Sequence, residues 1–409
     1  MSIKRTSLLA SVVLGICACT TYPPQQQAPQ VSQVPQAPVR TTPPPAPAEK
    51  SKEVFLPASF SDLPGWATDD LREAWPAFLA SCEVLVKKVE WKEPCSIARD
   101  VDARHEKGVR LFFESFFTPH KVSGADGSDA GLVTGYYEPL LRGARKRGGV
   151  YQTPLHRTPD DLLTVDLTSV YPDLKNMRLK GRLVGSKVVP YPSRAEMMQS
   201  GALAGKELLW VDDPIEAFFL QVQGSGRVQL ADTKEVVRIA YADQNGHPYK
   251  SIGRYLVDKG EMTLEQASAQ SIKAWYAANP SRRQELLNAN PSYVFFREEK
   301  LLDHSKGPKG SLGVPLTPQR SIAVDASFIP LGVPVYLATT RPNKDVPLQR
   351  LMLAQDTGGA IKGAVRADFF WGFGAEAGEL AGKMKQRGAM WVLLPKHMPL
   401  PYTAGKAGK

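Results

Sequence analysis

The chain has 409 residues, room for two or more domains of ordinary size, and its 43% hydrophobic and 22% charged content suits a globular protein rather than a disordered or fibrous one. Its formal charge is +10. That modest excess favours anionic polymers or surfaces, and no dense Lys/Arg block with interleaved aromatics marks a nucleic-acid binder.

The chain opens on an export signal. Lys4 and Arg5 precede an apolar run from Leu8 to Ala18, too short to span a bilayer as a mature helix. The run ends in Ile16-Cys17-Ala18-Cys19, which resembles the bacterial lipobox. Cys19, after small Ala18, is the expected lipidation site; an ordinary signal peptide cleaved nearby is the alternative. Several acyl chains on that residue anchor stably where one does not. Thr20, rather than Asp, follows it, which in such lipoproteins points to the outer membrane. Removal of residues 1–18 takes away Lys4 and Arg5, two positive charges, and leaves +8. Residues 19–52 are rich in Pro, Gln and Ala and read as an extended tether, reaching up to roughly 100 Å at about 3.1 Å per residue.

The folded part is expected from near Phe55. Leu71, Ala74, Trp75, Phe78, Leu79 and Cys82 recur at helical spacing, with Thr68 or Asp69 as N-cap and Pro76 kinking or restarting the helix. A second helix is predicted over Arg104 to Phe117, with Val109, Phe112, Phe113, Phe116 and Phe117 inward. Cys82 and Cys95 are the two cysteines of the folded part, and a disulfide between them would staple these two helices. No Cys/His cluster has zinc spacing, and no metal or cofactor is expected.

Gly131 to Pro139 reads as a strand, and from there to about Glu299 the pattern is mainly β. Arg182 to Val189, Ala217 to Gln223 and Val228 to Leu230 all look strand-like, with Gly224-Ser225-Gly226 as a turn or a close backbone approach to a ligand. Thr263 with Gln266, then Ser281 with Gln284, resemble capping boxes that open two helices, stopped by Pro280 and Pro291. Strands are predicted at Ser321 to Asp325, Val333 to Ala338, Leu351 to Gln355 and Met390 to Leu394, with a helix over Ala375 to Arg387 and Gly388 at its C′ position.

The segment Ala354 to Gly372, AQDTGGAIKGAVRADFFWG, holds two carboxylates across a glycine-rich turn. Gly358 and Gly359 allow a sharp turn or positive φ after Asp356. Asp368 opens the aromatic run Phe369-Phe370-Trp371, and an acid among apolar rings is a candidate for the raised pKa that a general acid needs. The alternative is a turn-capping Asp356 and an Asp368 paired with Arg366 or Lys362. Asp356-Thr357-Gly358 matches the aspartic-protease triplet, but such enzymes need two, and no second copy occurs. Gly224-Ser225-Gly226 lacks the frame of a nucleophile elbow. Tyr136, Tyr137, Trp210 and Trp371 are of the type that stacks on sugar faces, although each alone is more often core.

Six separated motifs occur in order: VTGYYEP, QVQGSGRV, YADQNGHPYKSIGRYL, NPSYVFFRE, SIAVDASFIPLG and AQDTGGAIKGAVRADFFWG. Together, from about Pro64 to Pro395, they resemble the membrane-bound lytic murein transglycosylase A family with its C-terminal three-aspartate domain. The resemblance implies cleavage of peptidoglycan between N-acetylmuramic acid and N-acetylglucosamine without water, leaving 1,6-anhydromuramyl ends. It implies a mainly β fold with peripheral helices: a double-psi β-barrel from residues 53–137 and 300–400, a smaller β-domain inserted at 138–299, and a groove between them, followed by a tail at 401–409. Asp368 matches the family's sole catalytic acid, and Asp325 is a structural carboxylate of the barrel. Thr134, Gly135, Tyr136 and Tyr137, Gln223, Gly224, Ser225 and Gly226, and Asp356, Thr357, Gly358 and Gly359 are the implied substrate-binding set. Glu138 is given no role. The expected partners are peptidoglycan glycan strands, the outer membrane through the lipid anchor on its periplasmic face, and a cell-wall synthesis or hydrolase complex. The chemistry is consistent with one acid, because the sugar's own C6 hydroxyl replaces water as the attacking group. Two rivals stand beside this reading: a non-catalytic peptidoglycan-binding lipoprotein, and a two-carboxylate hydrolase with Asp356 or Glu138 as partner of Asp368.

Overall fold

The computed structural model describes residues 54–400 except 125, 178, 302 and 343. Cys19, the tether and the C-terminal tail lie outside the described residues. Strand β1 (Phe55–Pro57) leads through short 3-10 turns into helix α1 (Trp75–Leu85). Pro76 sits in the first turn, where its missing N–H costs no hydrogen bond, so it starts this helix rather than kinking a longer one. The expected cap at Thr68 or Asp69 is not formed. Asp69 is buried instead and its carboxylate meets the Arg320 guanidinium at 2.8 Å, while Asp70 caps the preceding 3-10 turn. An unforeseen helix, α2 (Val89–Ile97), carries Cys95. The Cys82–Cys95 disulfide, with Cα atoms 5.3 Å apart, therefore joins α1 to α2 and not to α3 (Glu106–Phe116). Val109, Phe112 and Phe113 of α3 are buried, with Phe112 packed edge-on to Trp75 at 5.0 Å.

The chain then turns extended at β2 (Phe117–Val122), β3 (Gly131–Glu138), β4 (Leu140–Ala144), β5 (Thr153–His156), β6 (Leu163–Thr164), β7 (Lys180–Val184) and β8 (Lys187–Pro190). Helix α4 (Arg194–Ser200), strand β9 (Glu207–Val211) and helix α5 (Pro214–Gln223) follow. The last corrects the strand expected at Ala217 to Gln223. Asp213 caps α5 by accepting from the Ile215 N–H at 3.0 Å, and Gly224, at φ +81°, closes it in the left-handed region. Ile215 and Phe218 face one hydrophobic cluster while Ala217 and Leu220 face another, so the helix is apolar on two sides and its periodicity is blurred.

Next come β10 (Ser225–Leu230), β11 (Val236–Gln244), α6 (Ile252–Asp258), α7 (Ala269–Ala278), α8 (Arg283–Asn288) and β12 (Val294–Glu299). Thr263 and Gln266 do exchange capping-box hydrogen bonds, at 3.0 and 3.4 Å, but close only a turn. Ser268 is the N-cap of α7, its hydroxyl oxygen accepting from the Ser271 N–H at 3.1 Å. Ser281 lies inside a 3-10 turn and caps nothing. The remaining elements are β13 (Ser321–Val324), β14 (Pro334–Thr340), β15 (Pro347–Asp356), β16 (Arg366–Phe373), α9 (Ala375–Lys383) and β17 (Lys385–Pro395). Helix α9 is shorter than expected, and Gly388 is a strand residue. Lys385 to Gly388 are drawn off the helix pattern by pairing with Thr134 to Gly131 of β3.

Two main sheets result, and the fold is mainly β with helices around it. The larger has the order β1-β2-β17-β14-β15-β13-β16-β3, with β13–β15 and β16–β3 parallel. In it β3 pairs with β16 on one side and β17 on the other. The second has the order β12-β11-β10-β4-β9-β5, beside a three-stranded sheet β6-β7-β8. The chain thus leaves the larger sheet after Glu138 and returns at Ser321. Glu138, the last residue of β3, is fully buried between Arg227 of β10 at 2.8 Å and Arg238 of β11 at 2.7 Å. That ion triad ties the two sheets together where the chain passes from one to the other.

Candidate active site

Asp368 lies on β16 between two small neighbours. Across the sheet it is directly opposite Ala323 of β13 on one side and Thr134 of β3 on the other. Residues paired in register point to the same face, so the Thr134 hydroxyl reaches the carboxylate and donates to Oδ1 at 2.5 Å. Burial pushes the Asp368 carboxyl up to about 6; the Thr134 hydrogen bond and the Arg366 charge oppose the rise, and Asp356 adds to it. The neighbours on its own face are Arg366 and Phe370, and the Phe370 ring packs 5.1 Å from Tyr136. One aromatic of the sequence run therefore borders the acid; Phe369 and Trp371 point to the other face and are buried in the larger core.

Asp356, at the end of β15, pairs with the same Ala323 from the opposite side. Two strand spacings put the two aspartate Cα atoms roughly 10 Å apart, with a methyl group between them. Burial also raises the Asp356 carboxyl, against hydrogen bonds that favour its charge. Its Oδ1 accepts from Thr357 N at 2.9 Å, Ser311 N at 2.9 Å and Ser311 Oγ at 3.0 Å, and its Oδ2 accepts from Tyr136 at 3.1 Å. Asp356 thus ties the loop at Ser311 to β3 and β15. Sequence reasoning missed Ser311, which has no motif to mark it and comes near only through the fold.

Asp325 does not line the cavity that holds the other two aspartates. It accepts from Ser327 N at 3.1 Å, Ser327 Oγ at 2.7 Å and Gly363 N at 2.9 Å. Burial works against its charge, yet these bonds outweigh it and hold the carboxyl below its usual range. It pins the turn that feeds β16. In that turn Gly363, at φ +108°, takes the left-handed conformation expected of Gly358 or Gly359.

The cavity measures about 720 Å³ and lies between the larger sheet and the β11–β12 side of the second. Thr134, Gly135, Tyr136, Gln223, Gly224, Asp356, Thr357, Gly358, Gly359 and Asp368 all line it. Tyr137, Ser225 and Gly226 do not. Tyr137 alternates to the face opposite Tyr136 and packs on Gly378 of α9. Ser225 and Gly226 begin β10 and are buried, with Leu220 and Pro139 filling the space beside Gly226. Gly135 has a packing reason as well: a Cβ there would stand 2.7 Å from the Trp371 indole nitrogen. Trp210 and Trp371 also lie outside the lining; Arg147 covers Trp210, and the Trp371 N–H points at the Met384 sulfur. The far wall was not foreseen. Met177, Tyr241, His247 and Tyr249 line it, and they come from loops and strands distant in sequence. Glu138 offers the cavity no carboxylate, since its side chain is fully enclosed by the two arginines.

Residues 132–297 match the model of the MltA specific insert domain, and residues 320–394 match that of the 3D domain. Over 281 residues the chain is 36% identical to Membrane-bound lytic murein transglycosylase A of Escherichia coli strain K12, covering 67% of this chain and 68% of that protein. The chain belongs to the MltA family. Its architecture is similar to the crystal structure of MltA from Neisseria gonorrhoeae, with 41% identity, a TM-score of 0.73 and coverage of 85% of this chain and 94% of that one. It is also similar to E. coli MltA with bound chitohexaose, at 26% identity and a TM-score of 0.63, covering 86% and 99% of the two chains. Both matched segments contribute to the cavity: Thr134, Gln223 and Tyr249 come from the insert match, and Asp356 and Asp368 from the 3D match.

Proposed function

We propose that this MltA-family chain is a lytic transglycosylase that cleaves the β-1,4 bond between N-acetylmuramic acid and N-acetylglucosamine in peptidoglycan and leaves 1,6-anhydromuramyl ends. The observation that carries the reading is Asp368: a part-buried carboxyl on the cavity wall, raised to about 6, so that it exchanges its proton close to neutral pH. Asp368 protonates the glycosidic oxygen as the C1–O bond breaks. The muramyl C6 hydroxyl attacks C1, and the Asp368 carboxylate takes the C6 proton, so the acid ends as it began. The names of the relatives and the chitohexaose-bound structure support a glycan strand as the substrate.

The one-acid scheme is favoured over the hydrolase with two carboxylates. Asp356 already accepts four hydrogen bonds and Glu138 is sealed in its ion triad, so neither is free to activate water. The double pairing of β3 supports reading strands β3, β13 to β17 as a double-psi β-barrel, with residues 138–299 inserted as a second domain. The membrane-bound relatives support attachment to a membrane, and the lipobox assigns it to Cys19, on the periplasmic face of the outer membrane in this reading.

Digestion of murein in ¹⁸O-water tests the chemistry. Anhydro ends without ¹⁸O are expected, and Asp368→Asn should lose about 10²- to 10⁴-fold in rate. Reducing, ¹⁸O-labelled muramyl ends as the main product would overturn the transglycosylase reading. Binding of murein without cleavage would leave the non-catalytic rival standing.

A further inference from the structure

The Asp368 carboxylate is not symmetric. Its Oδ1 accepts from the Thr134 hydroxyl at 2.5 Å, and Oδ2 has no hydrogen-bond partner among the described residues. Thr134 is itself held from behind. Arg366 Nη2 donates to Thr134 Oγ1 at 2.9 Å, while Arg366 Nη1 donates to the carbonyls of Ala367 and of Leu132, the latter at 3.3 Å. Arg366 therefore grips β16 and β3 at once. It makes no ion pair within 4 Å among the described residues, but its charge and that of Asp368 act on one another across the strand face. Other charged groups face the site too. Asp356 lies across Ala323, and Lys362 lines the same cavity.

We infer that Arg366 and Thr134 form a relay that decides which oxygen of Asp368 carries the catalytic proton: Oδ1 is kept as an acceptor and Oδ2 bears the proton toward the glycan. The inference rests on the one-acid reading above and deepens it. A hydroxyl has a single hydrogen. With Arg366 donating to Thr134 Oγ1, that hydrogen is directed to Asp368 Oδ1. A proton on Oδ1 would turn Thr134 into a double acceptor and strand its own hydrogen. The proton is therefore placed on Oδ2. Both members also restrain the acid: each favours the carboxylate, and so each limits how far burial raises the group. Arg366 is thus a positioning residue that acts through Thr134, two residues before the acid on the same strand face.

Two readouts test the relay, and one needs no substrate. In protein labelled with ¹³C at the aspartate carboxyls, the Asp368 signal is identified by its loss in Asp368→Asn and titrated by NMR. Thr134→Val and Arg366→Gln should each raise the Asp368 midpoint by about half a pH unit to one unit. Thr134→Ser and Arg366→Lys should return it most of the way, since each retains the hydroxyl or the charge. In the murein assay the alkaline limb of kcat/KM should move by the same amount, and Thr134→Val should also lose about tenfold in kcat with little change in KM. Unchanged midpoints in Thr134→Val and Arg366→Gln, with native thermal unfolding, would overturn the relay. A shifted midpoint with an unshifted alkaline limb would retain the relay and overturn Asp368 as the acid of the proposed function. A shifted NMR midpoint in a protein that makes no anhydro product would retain the relay and reject the proposed function, so the two failures are separable.

Discussion

Asp368 is where local chemistry and burial meet. Folding holds its carboxyl at about 6, above the ordinary 3.8, so the folded protein binds a proton that the unfolded chain releases between those pH values. The group's contribution to stability is complete below about pH 4 and is lost as pH rises through 6. Asp368→Asn removes that loss. The variant is therefore expected to be more stable than the parent at pH 8, by about 1–3 kcal/mol, with the advantage fading below pH 6 and gone near pH 4. Urea unfolding of both proteins across pH 4–8 measures it, and an advantage that does not depend on pH would count against the raised carboxyl. The same residue is expected to limit catalysis on the alkaline side, because an acid that has lost its proton cannot protonate the leaving oxygen. Asp325 behaves in the opposite way. It is also buried, yet donors from Ser327 and Gly363 hold it charged, which suits a residue that shapes a turn and takes no part in proton transfer.

Among the elements, β3 has the most to hold. It carries Thr134 to Asp368 at one point and delivers Glu138 into the Arg227–Arg238 pair at its end. The arginines also donate to backbone carbonyls of the 304–306 segment, with Arg238 reaching Lys306 O at 2.6 Å and Arg227 reaching His304 O at 3.0 Å. Glu138→Gln would leave two buried guanidinium charges facing a neutral amide. Breaking a buried ion pair from one side typically costs about 3–5 kcal/mol, so a loss in that range is expected from denaturant unfolding. A loss below about 1 kcal/mol would show that the triad is not what joins β3 to β10 and β11. Helix α5 teaches a related lesson. Its sequence alternates like a strand, but Asp213, Pro214 and Gly224 supply a helix start and stop, and burial on two sides fits a short helix wedged between the second sheet and α6 to α8.

For the whole molecule, the arrangement is a cavity with walls contributed by two sheets, the C-terminal strands supplying Asp356 and Asp368. No helix among the described residues is long and apolar enough to cross a membrane. The proposed membrane attachment is the lipobox that the sequence places ahead of the folded part. Cys19→Ala is expected to move the protein from the membrane fraction to the soluble periplasmic fraction, with the activity of the folded part retained. Unchanged fractionation would overturn the anchor.

Much of this was readable without coordinates. Asp356 and Asp368 could be singled out because catalytic chemistry needs particular residue types and because turns need glycine, and such requirements are written locally in the chain. The family resemblance rested on the same kind of short, ordered motifs. Helix α3 was readable from its rings, and α1 from the same periodicity once Pro76 is allowed to start it. Contacts between distant segments were not readable. Ala323 seated between two aspartates, Ser311 bonded to Asp356, Glu138 enclosed by two arginines, and Tyr241 and Tyr249 on the far wall all depend on strand register and on the return of the chain after residue 300. Tyr137 and Ser225 were assigned to the cavity with their motifs, and the two-residue alternation of a strand turned Tyr137 away while the start of β10 buried Ser225. The raised pKa of Asp368 belongs to both levels. The sequence by itself determined the acid and the aromatic run beside it; only tertiary structure decided how deeply that acid is buried and which donors oppose its proton, because desolvation and hydrogen bonding are properties of the packed surroundings.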